Sequence, residues 1–186
     1  VAQFKEAYGN VEHVVYDAVS EDAALNAFEK MYGTRSLPDY NFGKAEVIVS
    51  VGADFLGDWQ GGNFGPGYAK GRTPKNGKMS RHIQFESNMS LTGANADKRV
   101  PLKPSEQKVA LAQLYGKITG NAVAGNLPER IEEALNSAAT EFLKAGSNAV
   151  VVSGIQDVNA QTLVLAINEA LSSKAFDPKT TIKTRQ

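Results

Sequence analysis

The chain has 186 residues, enough for one domain with a full apolar core. Its 20 basic and 20 acidic residues cancel, so no overall field draws it to nucleic acid or to an anionic membrane surface. With no cysteine it carries no disulfide, thiolate nucleophile or Cys-ligated cluster, and no apolar run approaches the roughly 18 residues of a membrane span.

Residues 11–19, VEHVVYDAV, are rich in β-branched side chains and bounded by polar ones, which predicts a first strand. Ser20 then precedes an acidic turn and the spacing Ala24, Leu25, Phe28, Met31, the pattern of an N-capped amphipathic helix ending near Gly33. A loop with Pro38 and Gly43 leads to a second strand at 46–51, which stops at Gly52. Residues 52–78 are Gly-rich, contain Pro66 and Pro74 and show little periodicity, so a long irregular segment is expected. Strand character returns at 81–85 (RHIQF), followed by a polar loop interrupted by the strand-like RVPL.

Ser105 reads as the N-cap of a helix to about residue 118. Pro128 marks a helix start, with Ile131, Leu135, Ala138 and Phe142 at helical spacing up to Gly146. NAVVVS (148–153) predicts a buried strand turned by Gly154, and Asp157 is placed to cap a last helix carrying Leu163, Ala166, Ile167 and Leu171. The tail becomes strand-like at Thr180, Thr181 and Ile182; with Val1 in first position, this favours a piece of a longer chain. The alternation predicts a single α/β domain over 1–186, a Rossmann-like three-layer αβα fold with a mainly parallel sheet.

In such a sheet, ligands sit just past the carboxyl ends of strands. Gly52 can let a phosphate or ribose near the backbone, and Asp54 can accept from a hydroxyl or amino group, but the local pattern favours the plainer reading in which Gly52 makes a turn and Asp54 caps the segment after it. QGGNFGPGYAKGR (60–72) lacks the G-x-G-x-x-G order of a dinucleotide fingerprint. Lys70 and Arg72 there suit a phosphate or a solvated loop, and Trp59 and Phe64 suit the core or a partner subunit. His13 and His82 have no second ligand at metal spacing, no serine stands in a nucleophile elbow, and a satisfied sheet histidine is the expectation for His82. No catalytic and no metal-binding residue is therefore assigned.

The stretches VSVGADFLGDW and TGANADKRVPLKP together resemble the molybdopterin oxidoreductase family. Gly52, Ala53, Asp54 and Trp59 match its Gly-Ala-Asp turn with following Trp; Thr92, Ala96 and Asp97 match its Thr/Ala/Asp stretch. YDAVSEDAALNAFEKMYG and SRHIQFESNMSLTGANAD are similar to the branch formed by the large iron–sulfur, molybdopterin-like subunits of alternative complex III, a bacterial quinol oxidoreductase. The family's Asp-Pro-Arg is replaced by Glu86-Ser87-Asn88, and its Pro-Gly-Thr-Asp by Pro104-Ser105-Glu106-Gln107, which removes a flexible turn and a guanine acceptor.

The resemblance thus implies a scaffold and interface domain with no cofactor in this chain, and iron–sulfur clusters in other domains of the parent subunit. Its partners would be those domains and the other subunits of a membrane-associated respiratory complex on the periplasmic side of the bacterial inner membrane, without nucleic acid or membrane insertion. Two alternatives stand beside it. One is a working half-site for molybdopterin guanine dinucleotide built from Gly52, Asp54, Glu86, Asn88, Thr92 and Asp97. The other is a stand-alone nucleotide- or flavin-binding module.

Overall fold

The computed structural model describes residues 1–182 except Val15, Asp17, Ala18 and Asn76. The helices are α1 (Ala2–Tyr8), α2 (Asp22–Tyr32), α3 (Gly65–Arg72), α4 (Leu91–Ala94), α5 (Pro104–Thr119), α6 (Glu129–Ala145) and α7 (Val158–Ala170). The strands are β1 (Leu37–Tyr40), β2 (Val47–Val51), β3 (Arg81–Glu86), β4 (Lys98–Pro101), β5 (Ala149–Ser153) and β6 (Phe176–Ile182).

Four strands form a parallel sheet in the order β4-β3-β2-β5. The chain runs outward from β2 through β3 to β4, then returns to the other side of β2 as β5. This is a doubly wound arrangement, with its switch point between the carboxyl ends of β2 and β5. The three-layer α/β fold is as the alternating pattern predicts.

The pleat explains the two cores. Val47, Val49, Val51, Ile83, Phe85, Val100, Ala149 and Val151 face α5, α6 and α7, which contribute Leu111, Leu114, Ile131, Leu135, Phe142 and Ile167. Ile48, Val150 and Val152 face the other way, against Phe28 of α2 and a cluster of rings from Tyr40 to Tyr68. Phe42 and Phe55 stack with centroids 4.4 Å apart, and Trp59 lies 5.3 Å from Phe64 and 5.7 Å from Tyr40. Trp59 and Phe64 are therefore core residues.

Several local expectations are corrected. The strand predicted at 11–19 is not formed by its described residues, and Val14, Tyr16 and Val19 are exposed there; Val15, Asp17 and Ala18 lie outside the described residues. β-propensity alone makes no strand without a sheet edge to pair with. Ser20 does not cap α2 in the usual register: its Oγ accepts from the Asp22 amide at 3.0 Å, and Glu21 is the boundary residue.

The segment 52–78 contains α3, hidden by three glycines and Pro66, whose Tyr68 anchors it in the second core. The helix read from Ser105 starts at Pro104, with Lys103 at its boundary. Pro38 lies in β1, which pairs antiparallel with β6; the strand-like tail thus finds a partner more than 130 residues back along the chain.

Candidate functional site

The switch point is where the fold offers a ligand crevice. Gly52 turns there with φ 71°, a left-handed conformation that glycine tolerates best. The sheet ladder continues one step past the strands: the Gly52 amide donates to Phe85 O at 2.8 Å and the Gly154 amide to Val51 O at 3.0 Å. Gly154 then lies so close to the Gly52 carbonyl that any side chain on it would overlap that oxygen. The carboxamide of Gln107, from the first turn of α5, covers Gly52 and donates to Ser87 Oγ at 3.0 Å. Lys108 reaches the Asp157 carboxylate at 2.5 Å, tying the start of α5 to the start of α7.

Three helix N-termini point at this edge, each with free amides that suit an anion. Side chains of the chain itself meet the first-turn amides of α4 and α7, and at α5 a side chain takes the amide of the boundary residue. Asp54 Oδ1 accepts from the Thr92 amide at 2.9 Å and from Thr92 Oγ1 at 2.7 Å, while Ser90 Oγ accepts from the Gly93 amide at 3.0 Å. The Glu106 carboxylate takes the Lys103 amide at 2.7 Å, closing the first turn of α5. Asp157 Oδ1 accepts from the Ala160 amide at 3.0 Å. Its carboxyl is held below the ordinary range by the Lys108 hydrogen bond and then by that amide.

Beside this edge runs a buried polar file on β3. His82 Nδ1 lies 3.1 Å from the Tyr68 hydroxyl, and His82 Nε2 lies 3.2 Å from Gln84 Oε1. A neutral ring protonated on Nε2 donates to Gln84, and its Nδ1 shares the single proton of the Tyr68 hydroxyl with the Asn95 carbonyl, 2.9 Å from that hydroxyl. Burial pushes the His82 pKa down to about 4, against an opposing hydrogen bond to Gln84. Gln84 Nε2 donates to Ala53 O at 3.2 Å and to Glu86 Oε2 at 3.1 Å.

Glu86 also receives Ser90 Oγ and Arg99 Nε, both at 2.6 Å. Burial works to raise its pKa, but the hydrogen bonds from Ser90 and Arg99 outweigh it and hold the carboxyl below the ordinary range. The side chains of the file are hydrogen-bonded to one another, and none of His82, Gln84 and Glu86 lines the clefts beside Gly71, Gly120 or Ser173.

The six residues singled out from the sequence therefore divide. Gly52, Asp54, Glu86 and Thr92 meet at the carboxyl edge of the sheet. Asn88 is exposed on the loop after β3 and makes no hydrogen bond among the described residues. Asp97 stands at the opposite end, before β4, where it takes the His82 amide at 2.7 Å and both arms of the Arg72 guanidinium at 2.6 and 2.9 Å. Arg72 is thus spent on an internal carboxylate.

The residues that close the crevice, Gln107 and Lys108, carry no local signal. The Lys108–Asp157 pair joins positions 49 apart. Among the described residues no group of three His, Asp or Glu side chains is placed to hold a metal ion. No described helix is long and apolar enough to cross a membrane.

No family model matches this chain, and no curated protein matches it. Among solved structures, it is similar to a chain of the formyltransferase/hydrolase complex (FhcABCD) from Methylorubrum extorquens, crystallised with methylofuran. The identity is 16% and the TM-score 0.49, over 83% of this chain and 48% of that one. The region matched is about half of the neighbour, and no activity or ligand carries over from a likeness of this size.

These findings correct the expected family. Membership of the molybdopterin oxidoreductases, and with it the respiratory quinol-oxidising scaffold, finds no match among family models or curated proteins. The physical reason is visible in the motif residues. The GAD turn and the TGANAD loop resemble a cofactor cradle because they hold the fold: Asp54 caps α4 and Asp97 anchors Arg72.

Proposed function

We propose that this chain is a non-catalytic α/β assembly domain that holds no cofactor at the carboxyl edge of its sheet and acts by presenting protein-binding surface. The observation that carries this reading is the set of internal caps: Asp54 with Ser90, and Asp157, occupy first-turn amides of α4 and α7 that a phosphate or ribose would use, and Glu106 adds a carboxylate at the start of α5. A nucleotide there would have to displace those acceptors and overcome their negative charge. Each amide left unmatched costs roughly 1–3 kcal/mol.

Exposed apolar side chains lie where a protein partner would meet them. Met89 on the loop and Leu91 at the start of α4 stand at this same edge, and Phe4 and Tyr8 pair on α1, which buries none of its residues. Thermal unfolding with FAD and with NAD tests the reading, in about 0.3 M salt so that contacts to surface lysines are screened. No stabilisation is expected. A rise equivalent to about 2.7 kcal/mol, the effect of a ligand at a hundred times its dissociation constant, would overturn it in favour of a nucleotide-binding module.

A further inference from the structure

At the opposite, amino end of the sheet lies a cleft of about 730 Å³. Its floor is small and smooth (Ala45, Val47 and Gly71), and its walls carry Lys70, Lys75, Lys78 and Lys144. None of these four ammonium groups has a carboxylate partner or a hydrogen bond among the described residues. Two carboxylates line the cleft. Glu141 is already paired with Arg81 at 3.3 Å, which leaves Glu46 alone against four cations.

The ordinary explanation covers half of this cluster. Lys70 and Lys144 stand in the last turns of α3 and α6, where a cation offsets the helix dipole. Lys75 and Lys78 belong to no helix. They face each other in an isolated antiparallel bridge, with mutual backbone hydrogen bonds of 2.9 and 3.0 Å. Like charges directly opposite in such a pair are destabilising, so the bridge holds its two cations together at a cost. Ser80 also lines the cleft, with its hydroxyl closed off beside Gly71.

We infer that this cleft binds a small phosphorylated molecule, with Lys75 and Lys78 clamping the phosphates from the bridge and Lys70 and Lys144 neutralising them from the walls. The volume falls in the ordinary range of small-ligand pockets, about 300–1,000 Å³. The charge is of the right sign, and an anion relieves the repulsion that the bare cleft carries. Met79, half exposed beside the clamp, supplies an apolar contact for the rest of the ligand. The inference is independent of the assembly reading, because it concerns the other end of the sheet and none of the capping residues.

Isothermal titration with sodium tripolyphosphate tests it, using wild type, a K75E/K78E double variant and a K5E/K179E double variant. The last makes the same change in charge at exposed lysines outside the cleft. The expected result is saturable binding to wild type, weakened at least about tenfold by K75E/K78E and less than about twofold by K5E/K179E. The affinity should fall several-fold between about 50 and 200 mM salt. Absence of binding, or equal weakening by both variants, would overturn the inference. So would an oligonucleotide that binds more tightly than tripolyphosphate and is retained by K75E/K78E. Circular dichroism of both variants confirms that they are folded, since all four residues are exposed.

Discussion

Gly154 and Gly52 meet backbone to backbone where β5 and β2 part, with no room for a side chain between them. The contact closes the switch point of the sheet at its narrowest place. Gly154→Ala is expected to force the two turns apart and to cost about 1–3 kcal/mol, as overpacking does. Urea denaturation checks this. An unchanged midpoint would mean that the two turns are not in contact.

Asp54 is expected to act as a remote cap. Asp54→Ala strands the Thr92 amide and hydroxyl and should lower stability by about 1–2 kcal/mol, while Asp54→Asn, which keeps an acceptor, should lose less. The ordering of the two variants in thermal melts is the informative result. Equal losses would point to charge rather than capping.

Gly93 lies under the Glu86 carboxylate, and a methyl group there would overlap Glu86 Oε1. Gly93→Ala should therefore displace Glu86 from Ser90 and Arg99 together. The expected loss is larger than that of Arg99→Ala, which breaks one ion pair of a partly exposed guanidinium. Chemical denaturation of the two variants compares them directly.

Stability should fall as the pH drops from about 6.5 to about 4. His82 is buried and neutral in the fold, with a pKa pushed down to about 4, whereas the unfolded chain takes up its proton near the ordinary value of 6.5. Above that window both states are neutral and the contribution of His82 is complete. Within the window the unfolded state binds more protons, and up to ~3 kcal/mol is lost. Glu86 and Asp97 have lowered pKa values; burial opposes the lowering, but hydrogen bonds from Ser90 to Glu86 and from Arg72 to Asp97 outweigh it. Their contributions are lost as the pH falls from the ordinary carboxylate values of 4.5 and 3.8 downward, at and beyond the acid end of the histidine window. Melting temperatures from pH 7.5 to 4.5 for wild type and His82→Gln separate the two, and a variant with the wild-type slope would remove His82 as the cause.

The layers of the fold were legible because their signals are local. VIVSV and AVVVS are continuous apolar runs bounded by glycine, and the Ile131–Leu135–Ala138–Phe142 spacing marks one face of α6. Asp157 was legible as a cap for the same reason. What failed depended on partners distant in sequence. VEHVVYDAV has the composition of a strand, but the described residues of this segment pair with no strand. LPDY has a proline, yet forms β1 because β6 returns to it.

The candidate site failed in a related way. Asp54 and Thr92, which are 38 positions apart, do meet. Local sequence cannot show that each then satisfies the other, nor that Gln107 lies over Gly52. Asp97 looked like a neighbour of Thr92 in the same loop, but the chain between them turns it toward the other end of β3.

The carboxyl edge of the sheet is filled by the protein's own side chains. Amide chemical-shift mapping by nuclear magnetic resonance, during titration with FAD, NAD and GTP in about 0.3 M salt, tests it most directly. The account predicts that the amides of Gly52, Thr92, Gly93, Gly154 and Ala160 stay in place with all three. Saturable shifts centred on those amides would contradict it and return the crevice to the status of a ligand site.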